Sequence, residues 1–326
     1  MRRGNTQVRI SAAGGILKTV LYITSLAACG LFAGSASSQG NPPGAIQPEI
    51  TTITVKASTY ARADVPMPVY VSKPALTQPK AGVHIWPVVI FSHGRSPSAA
   101  GRAAMKNPLQ GYAEMLNYWH EKGYVVVSAV RPGYGDNTTD DPEDHGARWN
   151  GSSCSGTVDF GKTAGAAAHA VRSLHSWVAE QSWANKERIL LVGQSVGGLA
   201  TVAACSQNWP GVVGCINFVG GAGGNPQTSP GASCRPDSLG EQLASSGKTT
   251  RVPSLWLYSA NDKYWGEEPP KQWYRAYAQT AAASGHGAEM EFFAAPPVGD
   301  NGHTLLSAGG RSWMPVVNAW LVKHGF

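Results

Sequence analysis

The segment Gly193–Gly197 reads GQSVG and matches the pattern G-x-S-x-G. The apolar run Ile189–Val192 directly precedes it, and the helix-forming run Gly198–Ala204 directly follows it. A strand, a tight turn and a helix would present Ser195 on an exposed elbow, where the flanking glycines leave room for a strained backbone. With 39 glycines in the chain the motif alone is weak, so the flanking elements carry the prediction. Ser195 is predicted to be a nucleophile in acyl transfer.

A serine hydroxyl is a weak nucleophile near neutral pH, so a base must take its proton. On an elbow of this kind, the acid and then the histidine follow the serine along the chain. The downstream histidines are His286, His303 and His324. His303 lies in a loop after the last predicted strand, whereas His286 precedes that strand and His324 is close to the C-terminus. His303 is therefore predicted to be the general base.

The predicted acid is Asp262, which follows the strand ending at Tyr258 by a short turn. This position would place its carboxylate beside the His303 loop, where it would fix the imidazole tautomer and stabilise the imidazolium. Asp300, in the same loop as His303, is the alternative, but it would have to fold back within one tight loop. We expect Asp262 to orient the base.

Two backbone N–H groups are expected to stabilise the tetrahedral oxyanion. The elbow supplies that of Val196, the residue after the nucleophile. The second is assigned to Arg95, in the His-Gly turn that follows the strand Pro87–Phe91. The residues predicted to line the substrate pocket are His93, Tyr134, Gln194 and Trp265. For Tyr134 an ordinary turn is an equal alternative.

The elements that would position these residues alternate between strand and helix. Strands are predicted at 50–55, 67–71, 87–91, 124–130, 189–192, 212–218, 254–258 and 290–293. Helices are predicted at 108–122, 158–183, 196–206, 269–284 and 305–323, and long loops at 131–156 and 220–250. Continuous apolar runs indicate buried parallel strands, and the first two, alternating runs indicate antiparallel edge strands. This order predicts an α/β fold with a doubly wound, mostly parallel sheet flanked by helices and a ligand site at the carboxyl ends of its strands.

Five segments together resemble the dienelactone-hydrolase-like branch of the α/β hydrolases: His93–Gly94, Arg131–Gly135, Gly193–Gly197, Ser259–Asp262 and Gly302–His303. The resemblance covers nearly all of the chain after the N-terminal leader described below. It implies the α/β-hydrolase fold and hydrolysis of a carboxylic ester through an acyl-enzyme, without a cofactor. Dienelactone hydrolase itself uses a cysteine nucleophile where this chain has Ser195, so dienelactone is not the expected substrate.

The expected function is therefore that of a carboxylesterase acting on a small-molecule or polymer ester. Two alternatives stay open. One is a serine peptidase of the prolyl-oligopeptidase type, which shares the chain order but usually carries an added domain. The other is a non-catalytic envelope binding protein of the same fold, against which the intact order of serine, acid and histidine argues.

The chain begins with a basic segment, an apolar run at about 20–33 and small residues at 34–37, the pattern of a secretory signal peptide. We expect residues 1–36 to be the leader, 37–48 a linker and 49–326 a single domain, in the periplasm or secreted. Cleavage before Cys29 with a lipid anchor there is the alternative, and a membrane span is disfavoured because the apolar run is shorter than about 20 residues.

Removing the four basic residues of the leader lowers the net charge from +6 to about +2. Since the rest of the chain has no basic run, a nucleic-acid partner is not expected. Four cysteines also remain, an even number that suits an oxidising compartment. We favour the pairs Cys205 with Cys215 and Cys154 with Cys234, and buried free thiols are the alternative. No C-x-x-C pair occurs, so no metal site is expected.

Overall fold

The computed structural model of the protein describes residues 48–75, 85–138 and 140–326. The expected leader, the lipid-anchor alternative at Cys29 and nearly all of the expected linker lie outside the described residues. Within the part of the chain that is described, no helix is both long enough and apolar enough to cross a membrane.

The described strands, in chain order, are β1 (Glu49–Val55), β2 (Val65–Ser72), β3 (Trp86–Ser92), β4 (Val125–Ala129), β5 (Arg148–Asn150), β6 (Ser153–Ser155), β7 (Ala184–Gln194), β8 (Val212–Phe218), β9 (Gly224–Asn225), β10 (Ser229–Ser233), β11 (Ser254–Ser259) and β12 (Met290–Ala295). Eight of them form one sheet in the order β1-β2-β4-β3-β7-β8-β11-β12. β1 and β2 pair antiparallel, β2 pairs antiparallel with β4, and the remaining neighbours are parallel. The predicted mixed sheet with antiparallel N-terminal strands is confirmed.

The described helices are α1 (Ala99–Ala103), α2 (Ala113–Glu121), α3 (Phe160–Ala179), α4 (Val196–Cys205), α5 (Pro236–Gly247), α6 (Glu268–Ala283), α7 (Leu305–Ala308) and α8 (Gly310–His324). Every residue of β4 and β11 is buried, which requires cover on both faces of the sheet. The helices supply that cover, and the core lies between them and the sheet.

Two segments that were expected to be long loops contain regular structure. Residues 131–156 include the hairpin β5-β6, and residues 220–250 include β9, β10 and the helix α5. The residues Leu239 and Leu243, one helical turn apart, are completely buried, and Trp273 of α6 donates a hydrogen bond from Nε1 to the Pro236 carbonyl at 2.9 Å. The loop prediction was wrong here because packing against α6 stabilises a segment whose glycines and serines favour turns.

The cysteine pairs expected from the sequence meet in the structure. The Cα atoms of Cys154 and Cys234 are 5.7 Å apart, and those of Cys205 and Cys215 are 6.5 Å apart. Both separations lie within the range that disulfides require. The predicted pairing is thus compatible with two disulfides, one of which joins β6 to the residue that follows β10.

Candidate active site

Ser195 forms the turn between β7 and α4 by itself, since the strand ends at Gln194 and the helix begins at Val196. Its backbone has φ 58° and ψ −126°, a conformation that is costly for a residue with a side chain. The flanking glycines make the turn feasible. A Cβ on Gly197 would lie 2.0 Å from the Ser92 carbonyl oxygen, and a Cβ on Gly193 would lie 2.1 Å from the Gly197 carbonyl oxygen.

Asp262 and His303 are hydrogen-bonded to each other. Nδ1 of His303 lies 3.0 Å from Oδ2 and 3.2 Å from Oδ1 of Asp262. The backbone N–H groups of Tyr264 and Trp265 donate to Asp262 Oδ1 at 2.7 and 3.3 Å, which fixes the carboxylate. Because an ionised carboxylate only accepts hydrogen bonds, the proton resides on Nδ1, and Nε2 of His303 is left with a lone pair.

The loops that carry these two residues are tied together by Asn301, which the sequence analysis did not identify. Its Oδ1 accepts hydrogen bonds from the backbone N–H of His303 at 3.1 Å and of Lys263 at 3.0 Å. An Asn before a short helical turn is a known capping signal, but its bond to Lys263 depends on tertiary structure. Asp300, the alternative acid, is exposed, and the imidazole is bonded to Asp262 instead.

Two aromatic side chains hold the imidazole of His303. The ring of Tyr264 stacks on it with centroids 4.0 Å apart, and Trp265 packs edge-on at 5.5 Å. Tyr264 lines the cavity at Ser195, whereas Trp265 is 1% exposed and donates from Nε1 to the Val219 carbonyl at 2.8 Å. The expected pocket role of Trp265 is therefore corrected. Trp265 is buried and packs against the imidazole, and its neighbour in sequence, Tyr264, lines the cavity.

Ser195 and His303 line a common cavity of about 270 Å³. His93 and Gln194, two of the candidate pocket residues, line it too, together with Tyr112 and Tyr264, which the sequence did not single out. Gln194 accepts a hydrogen bond from the Tyr112 hydroxyl at 2.6 Å and donates one to the His303 carbonyl at 2.8 Å. The residue before the nucleophile therefore ties the elbow to the histidine loop.

Tyr134 was also predicted to line the pocket, and the structure places it elsewhere. Its side chain is completely buried, and its hydroxyl donates to Glu143 Oε2 at 2.6 Å. The turn after β4 therefore points this ring into the protein, where Glu143 satisfies the hydroxyl. The sequence could not show this contact because Glu143 lies in a segment that was expected to be loop.

The two predicted oxyanion donors belong to segments next to Ser195. Val196 is the first residue of α4, where a backbone N–H has no partner within the helix. Arg95 lines the cavity, and the preceding Gly94 packs so close that an added Cβ would lie 3.2 Å from Ser195 Cβ. The Arg95 side chain is bound to Asp141, to which Nη1 donates at 2.7 Å, so the predicted role of this residue concerns its backbone N–H alone.

Within the described part of the chain, one group of side chains has metal-ligand atoms close together: Glu289, Glu291 and His324. Lys323 forms salt bridges with both glutamates, at 2.5 and 3.1 Å. The single ammonium group therefore offsets one of the two negative charges of this carboxylate pair. None of the three residues lines the cavity at Ser195.

Comparison with solved structures shows the α/β-hydrolase fold. A protein described as a dienelactone hydrolase from Klebsiella pneumoniae matches with a TM-score of 0.53 and 13% identity, over 85% of this chain and 98% of that chain. An esterase from Pyrococcus furiosus matches with a TM-score of 0.52 and 13% identity, over 87% and 96%. An acylaminoacyl peptidase from Pyrococcus horikoshii matches with a TM-score of 0.53 and 16% identity, over 83% of this chain but 41% of that chain. No family model and no curated protein sequence matches the chain.

Proposed function

We propose that this chain is an exported serine hydrolase that cleaves carboxylic esters, with Ser195 as nucleophile, His303 as general base and Asp262 as the residue that orients the base. The observation that carries the proposal is the hydrogen bond that His303 Nδ1 donates to Asp262, together with the cavity that His303 and Ser195 both line. The strained conformation of Ser195 supports it, since such strain is concentrated at functional sites.

In the first half of the reaction, Ser195 Oγ attacks the ester carbonyl carbon while Nε2 of His303 takes the hydroxyl proton. Asp262 stabilises the imidazolium that forms. The backbone N–H groups of Val196 and Arg95 stabilise the negative charge on the carbonyl oxygen. The tetrahedral intermediate then breaks its bond to the alcohol oxygen, which takes the proton from His303, and an acyl-enzyme ester remains on Ser195.

In the second half, water replaces the alcohol. His303 takes one proton from the water as its oxygen attacks the acyl carbon, and the same backbone donors stabilise the second oxyanion. Breaking the bond to Ser195 Oγ releases the carboxylic acid, and His303 returns the proton to the serine. The sequence of steps needs no cofactor, because the imidazole moves every proton.

The size of the cavity and the cysteine pairs refine the proposal. A volume of about 270 Å³ is near the lower end for small-molecule pockets, which favours a short acyl group or one end of a longer substrate. Two disulfide-compatible cysteine pairs support an oxidising compartment and therefore export.

Peptidase activity is the second candidate, because an acylaminoacyl peptidase shares the fold even though the chain spans 41% of its length. Hydrolysis of p-nitrophenyl acetate and of N-acetylalanine p-nitroanilide by the purified protein separates the two. We expect turnover of the ester that is lost in Ser195→Ala and no detectable turnover of the anilide, because a serine peptidase would cleave both substrates. Turnover of the anilide would favour the peptidase, and no hydrolysis of either substrate by the folded protein would contradict both.

A further inference from the structure

Arg131 and Glu143 form an ion pair that is almost completely withdrawn from solvent, with side chains 3% and 1% exposed. The guanidinium donates twice to the carboxylate, from Nε to Oε1 at 2.6 Å and from Nη2 to Oε2 at 3.2 Å. Neither residue lines the cavity at Ser195. A buried ion pair contributes little net stability, because desolvation offsets much of the attraction between the charges. Stability alone therefore does not account for this pair.

The pair is bonded to the turn that follows β3. Arg131 Nη1 donates to the carbonyl oxygen of His93 at 2.9 Å. Glu143 is held in turn by the Tyr134 hydroxyl, which donates to Oε2 at 2.6 Å, and by Thr163 of α3, whose Oγ1 donates to the Glu143 carbonyl at 3.1 Å. The guanidinium thus fixes the His93 peptide to the segment after β4 and, through Glu143, to α3.

The imidazole of His93 is bonded to the next peptide along the chain. Its Nδ1 lies 2.7 Å from the Gly94 carbonyl oxygen, and since a carbonyl only accepts, Nδ1 carries the proton. Burial and the positive charge of Arg131 lower the pKa of His93 well below its usual range, so the ring stays neutral with a single N–H. Tyr134 packs against the ring edge to face, with centroids 4.7 Å apart.

The carbonyl that His93 binds belongs to the same peptide group as the N–H of Arg95. In a trans peptide the C=O and the N–H point in opposite directions, so a bond to the Gly94 carbonyl also sets the direction of the Arg95 N–H. This peptide lies beside the nucleophile, because a Cβ added to Gly94 would be 3.2 Å from Ser195 Cβ and 3.8 Å from its Oγ. The orientation of the second oxyanion donor therefore depends on His93.

We propose that Arg131 and Glu143 are positioning residues that fix His93 and thereby hold the Gly94–Arg95 peptide in the orientation that stabilises the oxyanion. The inference rests on the proposed function, because the oxyanion forms only when Ser195 attacks a carbonyl. Since the N–H acts on charge that develops in the transition state, misorienting it lowers kcat and changes KM much less.

The double variant Arg131→Met/Glu143→Leu removes both charges and leaves neither unpaired in the interior. Its kcat and KM for p-nitrophenyl acetate and its free energy of unfolding are compared with those of the wild type. Complete loss of an oxyanion donor costs about 10²–10³ in kcat, so a misoriented donor is expected to cost about 10- to 100-fold, with KM within about threefold. The control is Thr250→Val, which removes a buried hydrogen bond to the Ser246 carbonyl and is expected to lower stability without changing kcat.

If the double variant does not fold, two substitutions of His93 by side chains of similar size test whether its bond to the Gly94 carbonyl orients the Arg95 N–H. Asparagine at position 93 keeps an N–H donor for the Gly94 carbonyl and leucine does not, so His93→Asn is expected to retain at least about tenfold more kcat than His93→Leu. Equal kcat in these two variants, or a double variant within about twofold of the wild type, would overturn the inference and leave the proposed function standing. A folded wild type that hydrolyses no ester would overturn both.

Discussion

The carboxylate of Asp262 lies 3.0 Å from Nδ1 of His303, and both groups are buried, at 2% and 8% exposure. This bond decides which nitrogen of the imidazole carries the proton. With Nδ1–H directed to the carboxylate, Nε2 is the nitrogen that can take a proton from a neighbouring hydroxyl. The stacked ring of Tyr264 further limits rotation of the imidazole.

Replacing the carboxylate with an amide tests this relationship. In Asp262→Asn the side-chain N–H₂ can donate to Nδ1 and leave the proton on Nε2, so kcat for an ester is expected to fall by up to about 10⁴-fold while the protein stays folded. The matched control is Asp300→Asn, which changes the exposed aspartate of the same loop and should leave kcat unchanged. Steady-state kinetics of the two variants provides the check, and a large loss at Asp300 with none at Asp262 would contradict the assignment.

The elbow should tolerate no side chain at Gly197. A Cβ there would lie 2.0 Å from the Ser92 carbonyl oxygen, so Gly197→Ala must displace β3 or α4 and is expected to cost at least about 3 kcal/mol. Gly285→Ala is the comparison, because that glycine has a positive φ of 72° but open space around it. Its cost should be about 1 kcal/mol. Urea unfolding measures both free-energy changes, and equal values would mean that the elbow is not tightly packed around Gly197.

A disulfide between Cys154 and Cys234 should contribute more to the free energy of unfolding than one between Cys205 and Cys215. It closes a loop with a sequence separation of 80, against 10 for the other pair. Chain entropy assigns about 4.5 kcal/mol to the longer loop. Cys154→Ala/Cys234→Ala is therefore expected to lower the free energy of unfolding by about 4 kcal/mol in oxidising buffer. Under reducing conditions the wild type and the variant should become similar, and equal stabilities without reductant would show that the bond does not form.

Stability should fall as the solution is acidified from pH 7 to pH 5. Burial and the charge of Arg95 lower the pKa of His145 from 6.5 to about 4. Below pH 6.5 the unfolded chain therefore takes up a proton that the folded protein does not, and the free energy of unfolding decreases until the pH reaches the folded-state pKa. Asparagine can accept the Ala147 N–H bond as His145 does, so His145→Asn should show a smaller decrease between the two pH values. An equal decrease would exclude His145 as a cause.

The central strands and the order of the site residues could be predicted from the sequence, because buried strands leave a recognisable pattern in it. A parallel strand buried on both faces is a continuous apolar run, and 212–218 was predicted with the limits that β8 has. β7 was predicted only at 189–192, although it extends over Ala184–Gln194, because its first half is polar and partly exposed. The local apolar pattern therefore located the strand that leads to Ser195 but did not give its full length.

The side chains that support the site could not be predicted in this way. Asn301 and Tyr264 act through contacts between segments that are distant in sequence, and Glu143 acts through contacts with Tyr134 and with Thr163 of α3. None of the three belongs to a periodic pattern. Trp265 was predicted to line the pocket, and nothing in the local sequence distinguishes it from Tyr264 beside it. Which of two adjacent aromatic residues faces the cavity depends on how the loop after β11 packs, and this packing is set by the whole fold.

Labelling by a fluorophosphonate tests the central claim most directly, because the probe reacts with an activated serine without requiring knowledge of the substrate. The purified wild type and Ser195→Ala are incubated with the probe and analysed by intact mass and peptide mapping. We predict one label on the wild type, located on Ser195, and none on the variant. A folded wild type that stays unlabelled, or a label on any other residue that persists in Ser195→Ala, would contradict the account.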